Sequence, residues 1–91
     1  MSKIDVAFGK AMKSRRLELG ISQEELAFRA GLHRTYISNL ERGRKGPSLR
    51  VAIRLAFALE MSAPDLVQLT EDFALKPDSP KLTLEGNDDT D

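Results

Sequence analysis

Ninety-one residues with no cysteine, one histidine and 14 basic side chains against 14 acidic ones restrict the possibilities before any motif is read. A chain this short builds one domain, too small for a two-domain enzyme with a cleft between its halves. It offers no disulfide framework, no thiolate metal site, nothing resembling a signal peptide and no apolar run approaching the ~20 residues that span a bilayer. A cytoplasmic protein with no membrane partner is expected.

Five helices are predicted, in chain order. The first covers residues 4–19, amphipathic, with Phe8, Met12 and Leu19 inward and Gly20 ending it. Ser22 followed three residues later by Glu25 is a capping box, so a second helix starts at Gln23. Leu26, Ala27 and Ala30 give it one apolar side, and Gly31, free to take a positive φ, stops it. A third helix begins after Leu32, with Tyr36, Ile37 and Leu40 inward. Arg34, Thr35, Ser38, Asn39 and Arg42 are left facing solvent. Ala27 is small where two helices cross close to their joint, because a larger side chain would push them apart.

Ser48 caps a fourth helix from Leu49 to about Leu59, with Leu49, Ala52, Ile53, Ala56 and Leu59 along one side. Ser62, Pro64 and Asp65 repeat the start signal, so a fifth helix begins at Ala63 or Pro64. It runs through Leu66 and Leu69 to Phe73. Residues 1–75 therefore read as a compact all-α domain. Residues 76–91 hold Pro77, Pro80, Gly86 and a run of aspartates, the composition of a flexible acidic tail, although residues 81–85 alternate as a short strand does.

The zero net charge is uneven along the chain. Residues 1–70 hold 12 Lys/Arg and seven Asp/Glu, whereas residues 71–91 hold two Lys and seven Asp/Glu. Between residues 33 and 54, six basic side chains (Arg34, Arg42, Arg44, Lys45, Arg50, Arg54) stand against the single acid Glu41. This is the electrostatic footprint of a nucleic-acid surface. Two short helices about a tight turn, the second presenting Arg34, Thr35, Ser38 and Asn39, suit the major groove and the base edges within it. Sequence-specific binding of double-stranded DNA is the function expected. Catalysis is not: Ser38 lies five residues from the sole histidine, His33, and has no orienting partner. One imidazole without cysteine makes no metal site, and no cofactor is expected.

Residues 8–70 resemble the helix-turn-helix domain of the lambdoid phage repressor and Cro superfamily, the XRE family. Gln23, Leu26, Ala27, Gly31, Ile37, Leu40, Glu41 and Gly43 carry the likeness. The stretch from His33 to Gly43 is most similar to controller proteins of restriction–modification systems. The resemblance implies a compact five-helix lambda-repressor-like domain with its helix-turn-helix at helices 2 and 3, acting as a transcriptional regulator. It implies base contacts from Arg34, Thr35, Ser38 and Asn39, the alternative being a phosphate contact or free solvent. It implies a phosphate contact from Gln23, and a structural ion pair between Arg16 and Glu41 in place of a solvent-facing acid. Breaking a buried pair of that kind costs about 3–5 kcal/mol. Further phosphate contacts are expected from His33, Tyr36, Arg42, Arg44 and Lys45. For His33 the competing readings are a base contact or a helix-start residue in solvent, and for Tyr36 a core residue.

One recognition helix covers only a few base pairs, so a homodimer on a (pseudo)palindromic operator is expected. The apolar surface surplus to the core lies around helix 5, in Met61, Leu66, Val67, Leu69 and Phe73. The dimer contact is expected there, through Met61, Leu66, Leu69 and Phe73. A second reading is the antitoxin of a toxin–antitoxin pair that also binds its own operator. The segment from Glu71 onward would then hold a protein partner; a toxin or RNA polymerase is the partner to consider.

Overall fold

The computed structural model describes residues 2–75; the strand-or-tail alternative for residues 76–91 lies outside them. The described residues form α1 (Lys3–Glu18), α2 (Gln23–Ala30), α3 (Arg34–Glu41), α4 (Leu49–Ala58) and α5 (Ala63–Ala74), with no strand among them. Four of the five start on a serine. The Oγ atoms of Ser2, Ser22, Ser48 and Ser62 accept from the backbone N–H groups of Asp5, Glu25, Val51 and Asp65. Each cap satisfies an otherwise orphan donor and stabilises its helix by about 1 kcal/mol. The Ser2 cap places the start of α1 one residue earlier than the apolar spacing suggests, and Leu19 is its C-cap. α2 ends on Gly31 in the left-handed conformation (φ 70°, ψ 37°), where the N–H groups of Gly31 and Leu32 donate to the carbonyls of Phe28 and Ala27.

The helices are too short to stand alone, and the core that joins them draws on all five. Met12, Leu26, Ile37, Leu40, Leu55, Leu59 and Leu66 are its largest fully buried side chains. Burying each contributes about 1.5–3 kcal/mol. α1 packs against both α3 and α5, and α4 bridges α2 and α5.

Two expectations are corrected here. Ala56 and Leu59 are buried as expected and Ala52 packs against the core, but Leu49 and Ile53 are 76% and 49% exposed, and Leu55 and Ala58 are buried in their place. The sequence of α4, Leu-Arg-Val-Ala-Ile-Arg-Leu-Ala-Phe-Ala, is apolar round most of its circumference. Two stripes therefore satisfy the same periodicity, and the inward one carries the alanines that let neighbouring helices approach. Leu66 is not available for a dimer contact. It is 1% exposed within the single chain, packed with Met12, Leu55 and Leu59 in the core cluster. Met61, Leu69 and Phe73 are half-buried against the same cluster, and of the helix 5 group only Val67 is exposed.

Candidate nucleic-acid interface

Ala27 and Ala30 are buried where α2 meets α3, and the glycine turn between the two helices is held from outside by Arg54, whose Nη2 donates to the Gly31 carbonyl at 3.3 Å. On α3, Ile37 and Leu40 are wholly buried. At 100° per residue, positions 35, 38, 39 and 42 fall on the opposite side, and position 34 lies on the flank at the start of the helix. Arg34, Thr35 and Arg42 are exposed, and Ser38 and Asn39 half-exposed. α3 begins at His33, an exposed N-cap whose side chain makes no capping bond, and has no acid in its first turn. The leading end of this helix thus presents Arg34 and Thr35 without a competing negative charge.

The basic loop after α3 is built into the fold. Gly43 (φ 74°) approaches α1 so closely that a Cβ would stand 2.9 Å from the Val6 Cα, and the Arg44 N–H donates to the Asn39 carbonyl at 3.0 Å. Arg44 and Lys45 are exposed, and the Lys45 ammonium sits 5.1 Å from the centroid of the half-buried Tyr36 ring. That cation–π contact ties the loop to α3, in the range of about 0.5–1 kcal/mol for an exposed pair.

Arg16 and Glu41 form a bidentate ion pair, Nε to Oε2 at 2.7 Å and Nη2 to Oε1 at 3.0 Å, with side chains only 9% and 4% exposed. The third guanidinium nitrogen, Nη1, donates to the Ile21 carbonyl at 2.9 Å. The pair therefore joins α1, the turn ahead of α2 and the end of α3. Gln23, the first residue of α2, donates from Nε2 to Glu41 Oε1 at 3.0 Å. Neither the Gln23–Glu41 bond nor the Lys45–Tyr36 contact has a local sequence signal, because the partners lie on different elements.

One apolar surface escaped the sequence reading. Phe28 on α2 and Phe57 on α4 are 82% and 83% exposed, and with Ile53 they line one open groove rimmed by Arg29 and Arg54. The available hint was that Leu49, Ile53 and Phe57 recur every four residues. Among the described residues no helix is long and apolar enough to cross a membrane, and no group of three or more His, Cys, Asp or Glu is placed to hold a metal.

Comparison with known proteins follows the same geometry. A helix-turn-helix family model matches residues 12–66. The control protein C.BamHI of Bacillus amyloliquefaciens is 40% identical over 70 residues, covering 76% of this chain and 86% of that protein. The crystal structure of the restriction-modification controller protein C.AhdI from Aeromonas hydrophila superposes with a TM-score of 0.66 at 40% identity, over 68% of this chain and 94% of the other. That of the wild-type restriction-modification controller protein C.Esp1396I superposes at 0.77 with 30% identity, over 84% and 99%.

Proposed function

The chain belongs to the helix-turn-helix family of XRE type, DNA-binding transcriptional regulators and not enzymes, and from that premise we propose that it binds a two-fold symmetric operator as a homodimer and controls a restriction–modification system. The observation that carries the operator reading is the outward face of α3. Arg34 is suited to the O6 and N7 of guanine, Asn39 to adenine, the Thr35 methyl to thymine, and Ser38 to either kind of polar edge. Gln23, His33, Tyr36, Arg42, Arg44 and Lys45 surround that face and take the flanking phosphates, which position the helix without reading sequence. The restriction–modification role is supported by the likeness to C.BamHI, C.AhdI and C.Esp1396I.

For the two-fold contact we infer the surface shared by α2 and α4, because Leu66 of α5 is buried within the single chain. Phe28, Ile53 and Phe57 form an exposed apolar surface bordered by Arg54 and by the Arg29–Glu60 ion pair at 3.4 Å, and in a two-fold contact such a patch meets its own copy. Four phenylalanines meeting about the axis bring roughly 600–1,000 Å² of apolar surface. That is a large part of the ~1,600 Å² typical of a stable interface. Sequencing the fragments that the protein selects from a random DNA pool tests the reading. The expected product is an inverted repeat with half-sites about 10 base pairs apart, present upstream of restriction and modification genes. Selection of a single unrepeated motif, or of none, overturns it.

A further inference from the structure

Gln23 opens α2, and a single hydrogen bond decides what its amide has left to offer. Its Nε2 donates to Glu41 Oε1, an oxygen shared with Arg16 Nη2. A carboxylate only accepts, so the amide nitrogen must face it and not the amide oxygen; the opposite flip would set two acceptors together. That nitrogen carries two hydrogens. Glu41 engages one, and the second remains for an acceptor brought from outside. Arg16 neutralises Glu41 through two bonds at 2.7 and 3.0 Å, so the carboxylate orients the amide without adding net repulsion toward an approaching phosphate. The same guanidinium holds the Ile21 carbonyl, directly ahead of the Ser22 cap of α2.

We infer that Glu41, charge-balanced by Arg16, is a positioning residue for DNA phosphate: it sets the flip and rotamer of the Gln23 amide before DNA arrives. Glutamine is among the side chains with most rotamer freedom to lose. Ordering it in the free protein removes that loss from the cost of binding. The network thus links the base of the recognition helix to the phosphate anchor, beyond its role in holding three elements together. This inference rests on the phosphate-binding reading of Gln23 given above.

The test uses a duplex of about 20 base pairs and arbitrary sequence, since a phosphate contact needs no operator. Removing Glu41 alone would strand the buried Arg16 charge, so the pair is replaced together, Arg16→Met with Glu41→Leu. Apolar replacement of a whole buried pair is often tolerated, and this one leaves net charge unchanged. Gln23→Ala in the native background should weaken binding about tenfold, the loss expected for one hydrogen bond to a charged acceptor. The paired replacement should cost a similar factor, and Gln23→Ala should then cost nothing more. If Gln23→Ala costs as much in the replaced background as in the native one, Glu41 does not position it. If Gln23→Ala has no effect in the native background, the phosphate reading of Gln23 itself fails.

Should the paired replacement not fold, NMR of the unaltered protein decides the question. One Gln23 side-chain amide proton should be protected from exchange in the free state, and the other should shift when duplex is added. Two protons exchanging at the rate of an exposed amide overturn the inference.

Discussion

Gly9→Ala is expected to lower stability, although local propensity predicts the reverse. Gly9 lies inside α1, where alanine is favoured over glycine by about 1 kcal/mol. A Cβ at this position, however, would collide with the Leu40 carbonyl oxygen and stand 2.7 Å from that of Glu41, against the 3.4–4 Å of ordinary contact. Both obstacles are backbone atoms at the end of α3, which cannot rotate aside. α1 and α3 must separate by roughly 0.7 Å or more, at the upper end of the ~1–3 kcal/mol cost of overpacking. Subtracting the propensity gain leaves a net loss of about 2 kcal/mol, a fall in Tm of about 8–16 °C for a domain this size. Thermal and urea unfolding followed by far-UV circular dichroism measure it. Gly20→Ala serves as control: it has a positive φ of 71° and nothing within 4 Å, so it loses through backbone conformation alone, about 1 kcal/mol. A Gly9→Ala protein as stable as the parent, or more so, refutes the reasoning that α1 and α3 touch backbone to backbone.

Arg34→Ala should weaken operator binding by ~1–3 kcal/mol and relax one base preference per half-site, with the melting curve unchanged; an equal loss on random DNA would remove its base-reading role. Arg44→Ala and Lys45→Ala should each reduce the slope of log affinity against log salt by about 0.9 per phosphate per subunit. An unchanged slope would put the loop clear of the DNA backbone. Leu66→Ala should destabilise the fold by about 2–5 kcal/mol as a core truncation. Phe57→Glu should leave a folded protein that sediments as a monomer at micromolar concentration; a dimer at equilibrium would move the interface off α4.

The recognition surface was readable because its cues are periodic and close in sequence. Once Ile37 and Leu40 are inward, Thr35, Ser38 and Asn39 fall on the outward side, and Arg34, at the first position of the helix, is left exposed at its leading end. The Arg16–Glu41 pairing came from family likeness, since no local pattern links residues 25 apart. The role of Gly9 and the Gln23–Glu41 bond were not readable at all. Each depends on how closely and at what angle separate helices cross.

The sequence by itself determined where helices start and stop. Ser22, Ser48, Ser62 and Gly31 act on backbone groups within a few residues, so the boundaries are written in adjacent positions even though the helices themselves need the shared core to persist. It also determined the uneven charge and the outward face of α3. Only the tertiary structure decided how α4 and α5 are turned. α4 satisfies helical periodicity with either Leu49–Ile53–Phe57 or Ala52–Leu55–Ala56–Leu59 inside, and packing between α2 and α5 selects the second. Likewise Leu66 looked surplus to the core until α1 and α4 packed against α5 and buried it in the same cluster as Met12, Leu55 and Leu59. A stripe is a property of one helix, but burial is a property of its neighbours.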